Sequence, residues 1–540
     1  MKNKENFFLV VILSLAFLLR FIGLGYIPPS LAWDEASIGY NAYSVVKTLK
    51  DEHGNFLPLQ YFPAFGDYKP PMAIYLTALS VEIFGLHDWS VRLPSALLGV
   101  LTVFLTFLLG EELRKRIGSR HLDSKFSFLA SFFLAISPWH TIISRQMFEA
   151  NIATFFIVLA AYLFLLGLEK GKYLVLSLIF FVLSLYTFNS PRVFVPLFVA
   201  GLFWFFKKEL WNKKKIVLTA LLVSFLIFLP LLPHLVSPVG QLRFKEVNIF
   251  TDSEIVLTAN QRIADDQNAW WSKILNNRRI GFAQSFLSHY FDHFNIDYLF
   301  FRGDYNPKFS TRNNGQFFLI EALFIILGVY FLLSRERKIF VLLGLWLLLG
   351  LIPAATARET PHALRTEVTL PVWQFFSAAG LYFLLIQKKK VFRLITVLCL
   401  IILIGQGVFY LHNYNTHYLR DFSQDWQYGY KQAALYLKNR LNKYDQIWVS
   451  DVYGRPYIFF LTYLQYDPVK FQKEEQLRID EFGFYHIDNF GKFVFGQFDQ
   501  RNFSGKVLLV GPEEEVGGRG KKIKEIYFLN GEKALEIREL

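Results

Sequence analysis

Long apolar segments separated by short basic clusters dominate the sequence and restrict the folds open to it. Eleven of these segments come close to the roughly 20 residues that a helix needs to cross a bilayer. They lie at about 7–25, 91–109, 126–143, 150–168, 173–188, 193–206, 216–235, 317–333, 339–352, 371–386 and 391–410. The pattern predicts an α-helical polytopic membrane protein with about 11 (9–13) transmembrane helices, the first of which is kept and not cleaved as a signal peptide.

Positive charge in this chain indicates a membrane and no nucleic-acid partner. The formal net charge is +13, but the basic residues lie between the apolar segments, for example at 114–125 and 207–215. With eleven spans, every basic cluster falls on the side of the N-terminus, which the positive-inside rule assigns to the cytoplasm. We therefore expect a multi-pass protein of the plasma membrane whose external segments include 26–90 and 236–316.

A change in composition near residue 411 predicts a second domain. Charged residues return after this point, and Gln446–Ser450 and Lys506–Val510 have the pattern of short buried strands. The tail is long enough to form a small external α/β domain at 411–540, which would follow a transmembrane domain at 1–410.

Two other external segments are expected to have structure of their own. The segment 236–316 is too long to be a passive connector. The segment 71–86 is apolar enough to cross the membrane, but counting it as a span would move the basic cluster 114–125 to the outside. We therefore expect a juxtamembrane helix along the external surface, beginning at Pro70-Pro71, with a membrane-crossing helix as the alternative.

Two adjacent carboxylates, Asp34 and Glu35, follow the first span. Asp34 could be the N-cap of a helix that runs to about Lys50, with Glu35 in its first turn. Alternatively, a carboxylate that faces a cavity at the membrane surface could accept a proton from an incoming nucleophile. The two roles are compatible.

Three basic residues near the predicted membrane surface are candidates for binding a phosphate. Lys69 precedes Pro70-Pro71 and could bind a phosphate at headgroup level or snorkel to the surface. Arg145 and Glu149 could pair on one helix face or serve a site. Arg365, which follows His362, could make a bidentate phosphate contact or be an ordinary interfacial charge.

Other chemistries find no support in the sequence. The eleven histidines never show the spacing of a zinc site, and no Walker-type phosphate loop is present. The single cysteine, Cys399, excludes an intramolecular disulfide.

Taken together, the motifs resemble glycosyltransferase family 39. The resemblance covers about residues 7–200 and rests on Asp34-Glu35, on Lys69-Pro70-Pro71, on the run Phe84 to Ala96 that contains Arg92, and on Ser137-Pro138 leading to Arg145 and Glu149. This family belongs to the GT-C membrane glycosyltransferases and includes the protein O-mannosyltransferases and the bacterial aminoarabinose transferases acting on lipid A. The resemblance implies a GT-C type bundle and an inverting transferase that takes its sugar from a polyprenyl-phosphate carrier on the external face of the membrane.

The resemblance also implies roles for individual residues. Asp34 matches the catalytic base with Glu35 beside it, and Lys69 matches the lysine that contacts the lipid phosphate. Glu149 falls where the aminoarabinose transferases have a second aspartate. Tyr68 falls where those enzymes have a glutamate that helps to build a metal site, so no metal held by the protein is predicted, although a divalent cation remains possible.

The remaining candidates would shape the pocket for donor and acceptor. Tyr68, Trp33 and Tyr40 offer aromatic faces for a sugar, or anchor the chain at the interface, and Glu149 and His362 add polar groups. The expected partners are membrane lipids, the polyprenyl-phosphate sugar donor, and an acceptor that is a glycan, a lipid or a protein.

Two rival functions fit a many-spanned chain with intramembrane charges. A transporter or lipid flippase would show internal repeats with helices broken at matching positions, and we find neither. A polysaccharide polymerase or ligase uses the same lipid carriers but would centre its chemistry on a large later external loop. The sequence favours the transferase.

Overall fold

Helices account for most of the first 421 residues, as the apolar segments predict. The computed structural model describes residues 2–65, 67–481, 484–496, 498 and 503–540. In this part of the chain the helices up to residue 421 are α1 (Lys2–Phe21), α2 (Trp33–Thr48), α3 (Pro71–Phe84), α4 (Asp88–Ile117), α5 (Ser124–Ile136), α6 (Pro138–Ser144), α7 (Glu149–Gly167), α8 (Lys172–Leu185), α9 (Pro191–Phe205), α10 (Lys207–Trp211), α11 (Lys214–Phe228), α12 (Leu232–Val236), α13 (Pro238–Val247), α14 (Ser253–Asp265), α15 (Trp270–Leu275), α16 (Arg278–Asp292), α17 (Glu321–Arg335), α18 (Arg337–Ala355), α19 (Ala363–Thr366), α20 (Val372–Leu385) and α21 (Lys390–Asp421). A helix pairs its own backbone N–H and C=O groups, which is required in a bilayer because lipid tails cannot form hydrogen bonds with them.

Five of the described helices are long and apolar enough to cross a membrane unaided, namely α4, α7, Lys214–Val236, α18 and α21. Two bent helix pairs raise the number to seven if each pair is one span. Further apolar helices, among them α3, α8 and α9, are shorter than a straight crossing requires. The chain is therefore a multi-pass membrane protein, and the count of eleven spans stays a prediction.

The predicted span at 126–143 is wrong in one respect, because the structure breaks it. Helices α5 and α6 meet at an angle of 57°. Ser137 leaves the helical conformation with a ψ of 121° and Pro138 starts the next helix, as expected where a proline disfavours the helical conformation in the residue before it. A similar bend of 60° separates Ala363–Thr369 from α20, where Pro371 precedes the helix.

Both segments that the sequence predicts to be external contain helices. Helix α3 occupies 71–84, within the predicted 71–86, and its position along the membrane surface stays a prediction. Helices α13 to α16 fill most of 236–316, so this segment is no passive connector.

The chain divides into two compact units. The first comprises residues 1–19, 99–142 and 150–408 and is helical. Its helices α17 and α20 pack so closely that their glycines leave no room for a side chain. A Cβ on Gly328 would lie 1.9 Å from the carbonyl oxygen of Phe376, and a Cβ on Gly380 would lie 1.9 Å from that of Phe324. Small residues permit such close packing of membrane helices.

The second unit comprises residues 20–98, 143–149 and 409–540. Besides α2 and α3 it holds a hairpin of β1 (Phe62–Ala64) and β2 (Asp67–Lys69), and a tail formed by α22 (Tyr428–Leu437), β3 (Gln446–Val449), α23 (Pro456–Leu464), α24 (Pro468–Glu474), β4 (Gln476–Ile479), β5 (Tyr485–Phe490), β6 (Phe493–Phe495), β7 (Val507–Gly511), α25 (Glu513–Val516), β8 (Lys521–Tyr527) and β9 (Lys533–Glu539). The segment 26–90 and the tail thus fall in one unit, and the predicted division at residue 410 stays a prediction.

The tail contains a mixed β-sheet in the order β4-β5-β6-β3-β7-β9-β8. Its central strand β3 runs parallel to β6 and β7, and the other pairs are antiparallel. Strands β3 and β7 confirm the two strands predicted at 446–450 and 506–510, and both are largely buried, as expected for strands covered on both faces.

Candidate active site

The first turn of α2 presents the carboxylate of Asp34 to the site. The helix begins at Trp33, and its N-cap is Ala32, which has an extended backbone with φ −69° and ψ 163°. Oε2 of Glu35 accepts a hydrogen bond from the Ala32 backbone N–H at 3.0 Å. The interpretation of Asp34 as N-cap is therefore wrong, because Glu35 reaches back to the cap and leaves the Asp34 carboxylate available for other contacts.

Lys69 joins two carboxylates that are far apart in sequence. Its Nζ lies 2.7 Å from Oδ1 of Asp34 and 3.7 Å from Oε1 of Glu149. Although burial lowers the pKa of Lys69, the charges of Asp34 and Glu149 raise it above its ordinary value, so the ammonium stays charged. The Lys69 side chain is 3% exposed and that of Asp34 is 32% exposed, so the site opens to solvent at Asp34.

The β1–β2 hairpin and the next two prolines fix Lys69. Lys69 is the last residue of β2 and pairs with Phe62 of β1. Pro70 has an extended backbone and caps α3, whose first residue is Pro71. Since proline restricts its own φ and the backbone before it, the lysine has a defined direction.

Glu35 is held in a buried ion pair that the sequence motifs did not predict. Nε of Arg92 donates to its Oε1 at 2.8 Å, and NH2 of Arg92 donates to its Oε2 at 2.9 Å. The backbone N–H of Met147 donates to the same Oε1 at 2.9 Å. Glu35 and Arg92 are both fully buried, and a catalytic role for Glu35 beside Asp34 stays a prediction. Glu35 fastens α2 to α4 and to the segment before Glu149.

Arg92 also binds the chain that leads into α2. Its guanidinium donates to the carbonyl oxygens of Leu24 at 3.2 Å, Pro28 at 2.9 Å and Ser30 at 2.6 Å. The only signal in the sequence was its presence in the 84–96 run. An arginine inside a predicted span requires internal partners, and this rule could have identified it as structural.

Arg145 and Glu149 do not pair on one helix face, so that interpretation is wrong. Helix α6 ends at Ser144 and α7 begins at Glu149, so the four residues between them are not helical. NH2 of Arg145 donates to the carbonyl oxygen of Ile22 at 2.8 Å, and its guanidinium lies 5.5 Å from the ring centre of Tyr414. The break frees Glu149 to face Lys69.

The predicted aromatic residues have different surroundings. Tyr68 packs edge-on against Tyr61 with ring centres 5.2 Å apart. Trp33 lies beside Gly454 of the tail, where an added Cβ would be 3.3 Å from the ring. Tyr40 is fully buried and donates a hydrogen bond to the carbonyl of Tyr466 at 3.2 Å, so this side chain of α2 packs against the tail.

His362 and Arg365 lie in the other compact unit. Nδ1 of His362 accepts a weak hydrogen bond of 3.4 Å from the backbone of Arg365, at the start of α19. NH1 of Arg365 donates to the carbonyl of Glu359 at 3.3 Å. Their contribution to a donor or acceptor pocket stays a prediction. Within the residues that the structure describes, no group of three or more His, Cys, Asp or Glu side chains could hold a metal ion.

Tail residues that sequence reasoning missed hold the loop before Asp34. Nζ of Lys431 donates to the carbonyl of Pro29 at 3.0 Å and to Asp88 at 2.7 Å. The hydroxyl of Tyr463 accepts from the backbone of Leu31 at 3.0 Å. No local pattern could have found these contacts, since the partners lie about 400 residues apart in the sequence.

A histidine links the early loop to the tail in a pH-dependent way. Nδ1 of His53 lies 2.8 Å from Glu475, and Nε2 lies 3.8 Å from Glu52. Burial lowers the pKa of His53, but the hydrogen bond to Glu475 and the charge of Glu52 outweigh it and raise the pKa to about 9. Asp51 acts in the same direction.

We expect His53→Gln to lower the melting temperature by a few degrees at pH 6 and to have little effect above pH 9. Because the pKa of His53 is higher in the folded than in the unfolded protein, its protonation stabilises the fold fully below the unfolded pKa of about 6.5. This stabilisation is lost as the pH rises through the folded pKa of about 9. The measurement is thermal unfolding of both proteins from pH 6 to pH 10. The more exposed His486, which lies 2.9 Å from Asp480, provides the control His486→Gln, and an equal pH-dependent loss in this control would contradict the prediction.

Comparisons with known proteins agree with the resemblance found in the sequence. Residues 68–234 match a family model described as dolichyl-phosphate-mannose-protein mannosyltransferase. Over 153 residues the chain is 33% identical to the Bacillus subtilis (strain 168) protein named "Putative mannosyltransferase YkcB", a match that covers 28% of this chain and 20% of that relative. The predicted resemblance to glycosyltransferase family 39 is confirmed, and the matched part is about a fifth of the relative's length.

Two solved structures show the same fold. ArnT from Cupriavidus metallidurans, bound to undecaprenyl phosphate, has a TM-score of 0.55 and 12% identity, with 98% of this chain and 97% of that chain covered. The archaeal oligosaccharyltransferase AglB from Archaeoglobus fulgidus, in complex with an inhibitory peptide and a dolichol-phosphate, has a TM-score of 0.51 and 15% identity, with 86% and 64% covered. These likenesses confirm the predicted polytopic membrane fold.

Proposed function

We propose that this chain is an inverting glycosyltransferase that moves a sugar from a polyprenyl-phosphate donor to an acceptor hydroxyl at the external face of the plasma membrane. The observation that carries the proposal is the buried ammonium of Lys69, placed between Asp34 and Glu149. Support also comes from the mannosyltransferase family match over residues 68–234 and from the lipid phosphates bound by the two proteins of similar fold.

The proposed reaction is a single displacement. The acceptor oxygen attacks the anomeric carbon while the bond from that carbon to the phosphate oxygen breaks. The electron pair leaves with the polyprenyl phosphate, and the acceptor proton goes to the carboxylate of Asp34. Lys69 stabilises the charge that develops on the phosphate. Attack from the side opposite the phosphate inverts the anomeric carbon.

The Lys69–Asp34 contact gives the donor a way to activate the base. Without donor, the ammonium of Lys69 lies 2.7 Å from Oδ1 of Asp34 and holds this carboxylate in an ion pair. A donor phosphate beside Lys69 would share this positive charge. The Asp34 carboxylate would then be freer to accept a hydrogen bond from the acceptor hydroxyl when the sugar is in place.

Other sequence-based assignments belong to the same proposal. Arg145 would add positive charge near the lipid phosphate, and a phosphate contact by Arg365 stays a prediction from the sequence. The N-terminus and basic loops would be cytoplasmic. Residues 26–90 and the 411–540 domain would be external, with the tail positioning the loop before Asp34.

The test is sugar transfer by the purified chain in lipid vesicles. A panel of undecaprenyl-phosphate sugars, beginning with mannose, is offered with water and with hydroxyl acceptors, and release of undecaprenyl phosphate is measured. The proposal expects turnover with at least one donor and a product of inverted configuration. A folded chain that neither binds nor turns over any donor would contradict it and favour the transporter.

Lys69→Met is expected to lower kcat about 100-fold to 1,000-fold, because the leaving phosphate loses its cation. The melting temperature should also fall, since the Glu149 side chain is only 9% exposed and loses the cation that offsets the cost of its burial. Adding Glu149→Gln should restore the melting temperature and leave the activity low. The measurements are initial rates and thermal unfolding of both variants. Recovery of activity in the double variant would mean that Lys69 is only structural.

A further inference from the structure

A turn of the tail places an arginine beside the hairpin that carries Lys69. The turn comprises residues 450–455, between β3 and α23, and we call it the 450–455 turn. Nothing in the sequence motifs singled it out. The guanidinium carbon of Arg455 lies 5.0 Å from the ring centre of Phe65. Phe65 directly follows β1, in the hairpin that carries Lys69.

The neighbouring residue of the turn touches the other side of the site. A Cβ on Gly454 would lie 3.3 Å from Cζ3 of Trp33, and Trp33 directly precedes Asp34. Two consecutive residues of the tail therefore contact the two segments that carry the base and the phosphate-binding lysine. The turn therefore lies beside both of these segments.

Two tyrosines hold the turn by hydrogen bonds. The hydroxyl of Tyr430 donates to the carbonyl of Ser450 at 2.7 Å and accepts from the backbone of Tyr453 at 3.1 Å. The hydroxyl of Tyr453 donates to the carbonyl of Ala534 in β9 at 3.0 Å. The turn is thus bonded to α22 and to strand β9 of the sheet.

The backbone of Arg455 is strained. Its φ is 56° and its ψ is 42°, in the left-handed region that favours glycine, and Gly454 before it has a φ of 75°. Non-glycine residues persist there when their surroundings fix them, and such positions concentrate at functional sites. A glycine or asparagine would adopt this conformation more easily, so the backbone conformation does not explain why an arginine occupies this position.

Among the residues that the structure describes, no acidic side chain forms an ion pair with Arg455, whose guanidinium lies over the ring of Phe65. The residue is half-buried. By contrast, the site itself is rich in carboxylates, since Asp34, Glu149 and Asp67 all act on Lys69. An anionic acceptor would be repelled by them unless a separate cation held its charge.

We propose that Arg455 is a specificity-determining residue that binds a phosphate or carboxylate on the acceptor, next to the hydroxyl that attacks the sugar. The inference rests on the proposed function and adds the acceptor class, a hydroxyl compound with a neighbouring anion. The planar guanidinium suits bidentate contact with such a group. It takes no part in bond breaking, which remains the displacement at the anomeric carbon with proton transfer to Asp34.

The experiment compares anionic and neutral acceptors in the vesicle assay. Glycerol phosphate is paired with glycerol, and phosphatidylglycerol vesicles are paired with vesicles containing monoolein. The native chain should prefer the anionic member of at least one pair. Preference for the lipid identifies a membrane headgroup as the source of the anion, and preference for glycerol phosphate identifies a soluble or polymeric source.

Arg455→Gln should lower kcat/KM for the preferred anionic acceptor by about 10-fold to 100-fold. Donor hydrolysis and transfer to the neutral acceptor should change less than about twofold. Arg455→Gly relaxes the strained backbone and should give the same loss in a fully folded protein. The matched control is Arg440→Gln. Arg440 also lies over an aromatic ring, with its guanidinium 4.1 Å from the ring centre of Tyr436, and this variant should transfer sugar at the native rate.

Several outcomes would overturn the inference. The inference fails if the native chain prefers neither anionic acceptor over its neutral counterpart. It also fails if Arg455→Gln lowers transfer to neutral acceptors as much as transfer to anionic ones. Loss of donor hydrolysis in Arg455→Gln would assign the arginine to the donor phosphate. If the native chain releases no undecaprenyl phosphate from any donor, the proposed function fails as well, so the two failures are distinguishable.

Discussion

Asp34→Asn is expected to abolish sugar transfer while leaving the protein folded. Asparagine has nearly the same shape, and its side-chain oxygen can still accept the hydrogen bond from Nζ of Lys69 that measures 2.7 Å with aspartate. An amide cannot take the acceptor proton, so the rate should fall about 100-fold to 10,000-fold, the usual contribution of a positioned general base. Single-turnover release of polyprenyl phosphate measures the chemical step directly.

A matched carboxylate separates this effect from a change in charge. Asp421 at the end of α21 is exposed, and Asp421→Asn should transfer sugar at the native rate. Binding of undecaprenyl phosphate should survive in Asp34→Asn, or become tighter, because Lys69 no longer shares its charge with an anionic base. Transfer by Asp34→Asn at more than about a tenth of the native rate would exclude Asp34 as the base.

The membrane fold was predictable because apolar length is a local property. Each apolar run of the sequence became one helix or a pair of helices, and the break at Ser137-Pro138 followed from proline. The number of spans was less accessible. Segments such as α8 and α9 are 14 and 15 residues long, so their composition alone does not establish a crossing.

The pairing of Asp34 with Lys69 and Glu149 was accessible only in part. Resemblance to a family named the three residues, yet each also had an ordinary structural explanation. What joined them in space was the non-helical segment between α6 and α7, which lets Glu149 begin a helix and face Lys69. The partner of Glu35 was harder still, because Arg92 is 57 residues away and lies inside a predicted span.

Contacts of the tail could not be predicted from sequence at all. Leu31 and Tyr463 are 432 residues apart, and nothing in a strand or helix pattern indicates which distant loop it will meet. The sequence therefore predicted an independent α/β domain. In the structure the tail falls in the same compact unit as the loop that carries Asp34, and Arg455 of the tail therefore lies beside Phe65.

Glu35→Gln is expected to destabilise the protein by about 3–5 kcal/mol, the cost of leaving one partner of a buried ion pair unpaired. Arg92 would keep its charge at a position with no exposure to solvent. It would also lose two charged hydrogen bonds of 2.8 and 2.9 Å. Arg92→Gln should cost a similar amount. The double variant should cost less than the sum of the two, since neither charge then remains buried. Thermal unfolding of the three variants measures this coupling.

Activity of the double variant then shows what Glu35 does. If Glu35 only positions α2, the folded fraction of Glu35→Gln/Arg92→Gln should keep measurable transfer, whereas Asp34→Asn keeps almost none. The control is the exposed pair Arg478–Asp488, whose atoms lie 3.3 Å apart with side chains 57% and 47% exposed. Arg478→Gln should cost at most about 1 kcal/mol, because water and salt screen such pairs. If the double variant is fully folded but as inactive as Asp34→Asn, Glu35 belongs among the reacting groups. If breaking the buried pair costs no more stability than breaking the exposed pair, the tail contacts hold the loop before α2 instead.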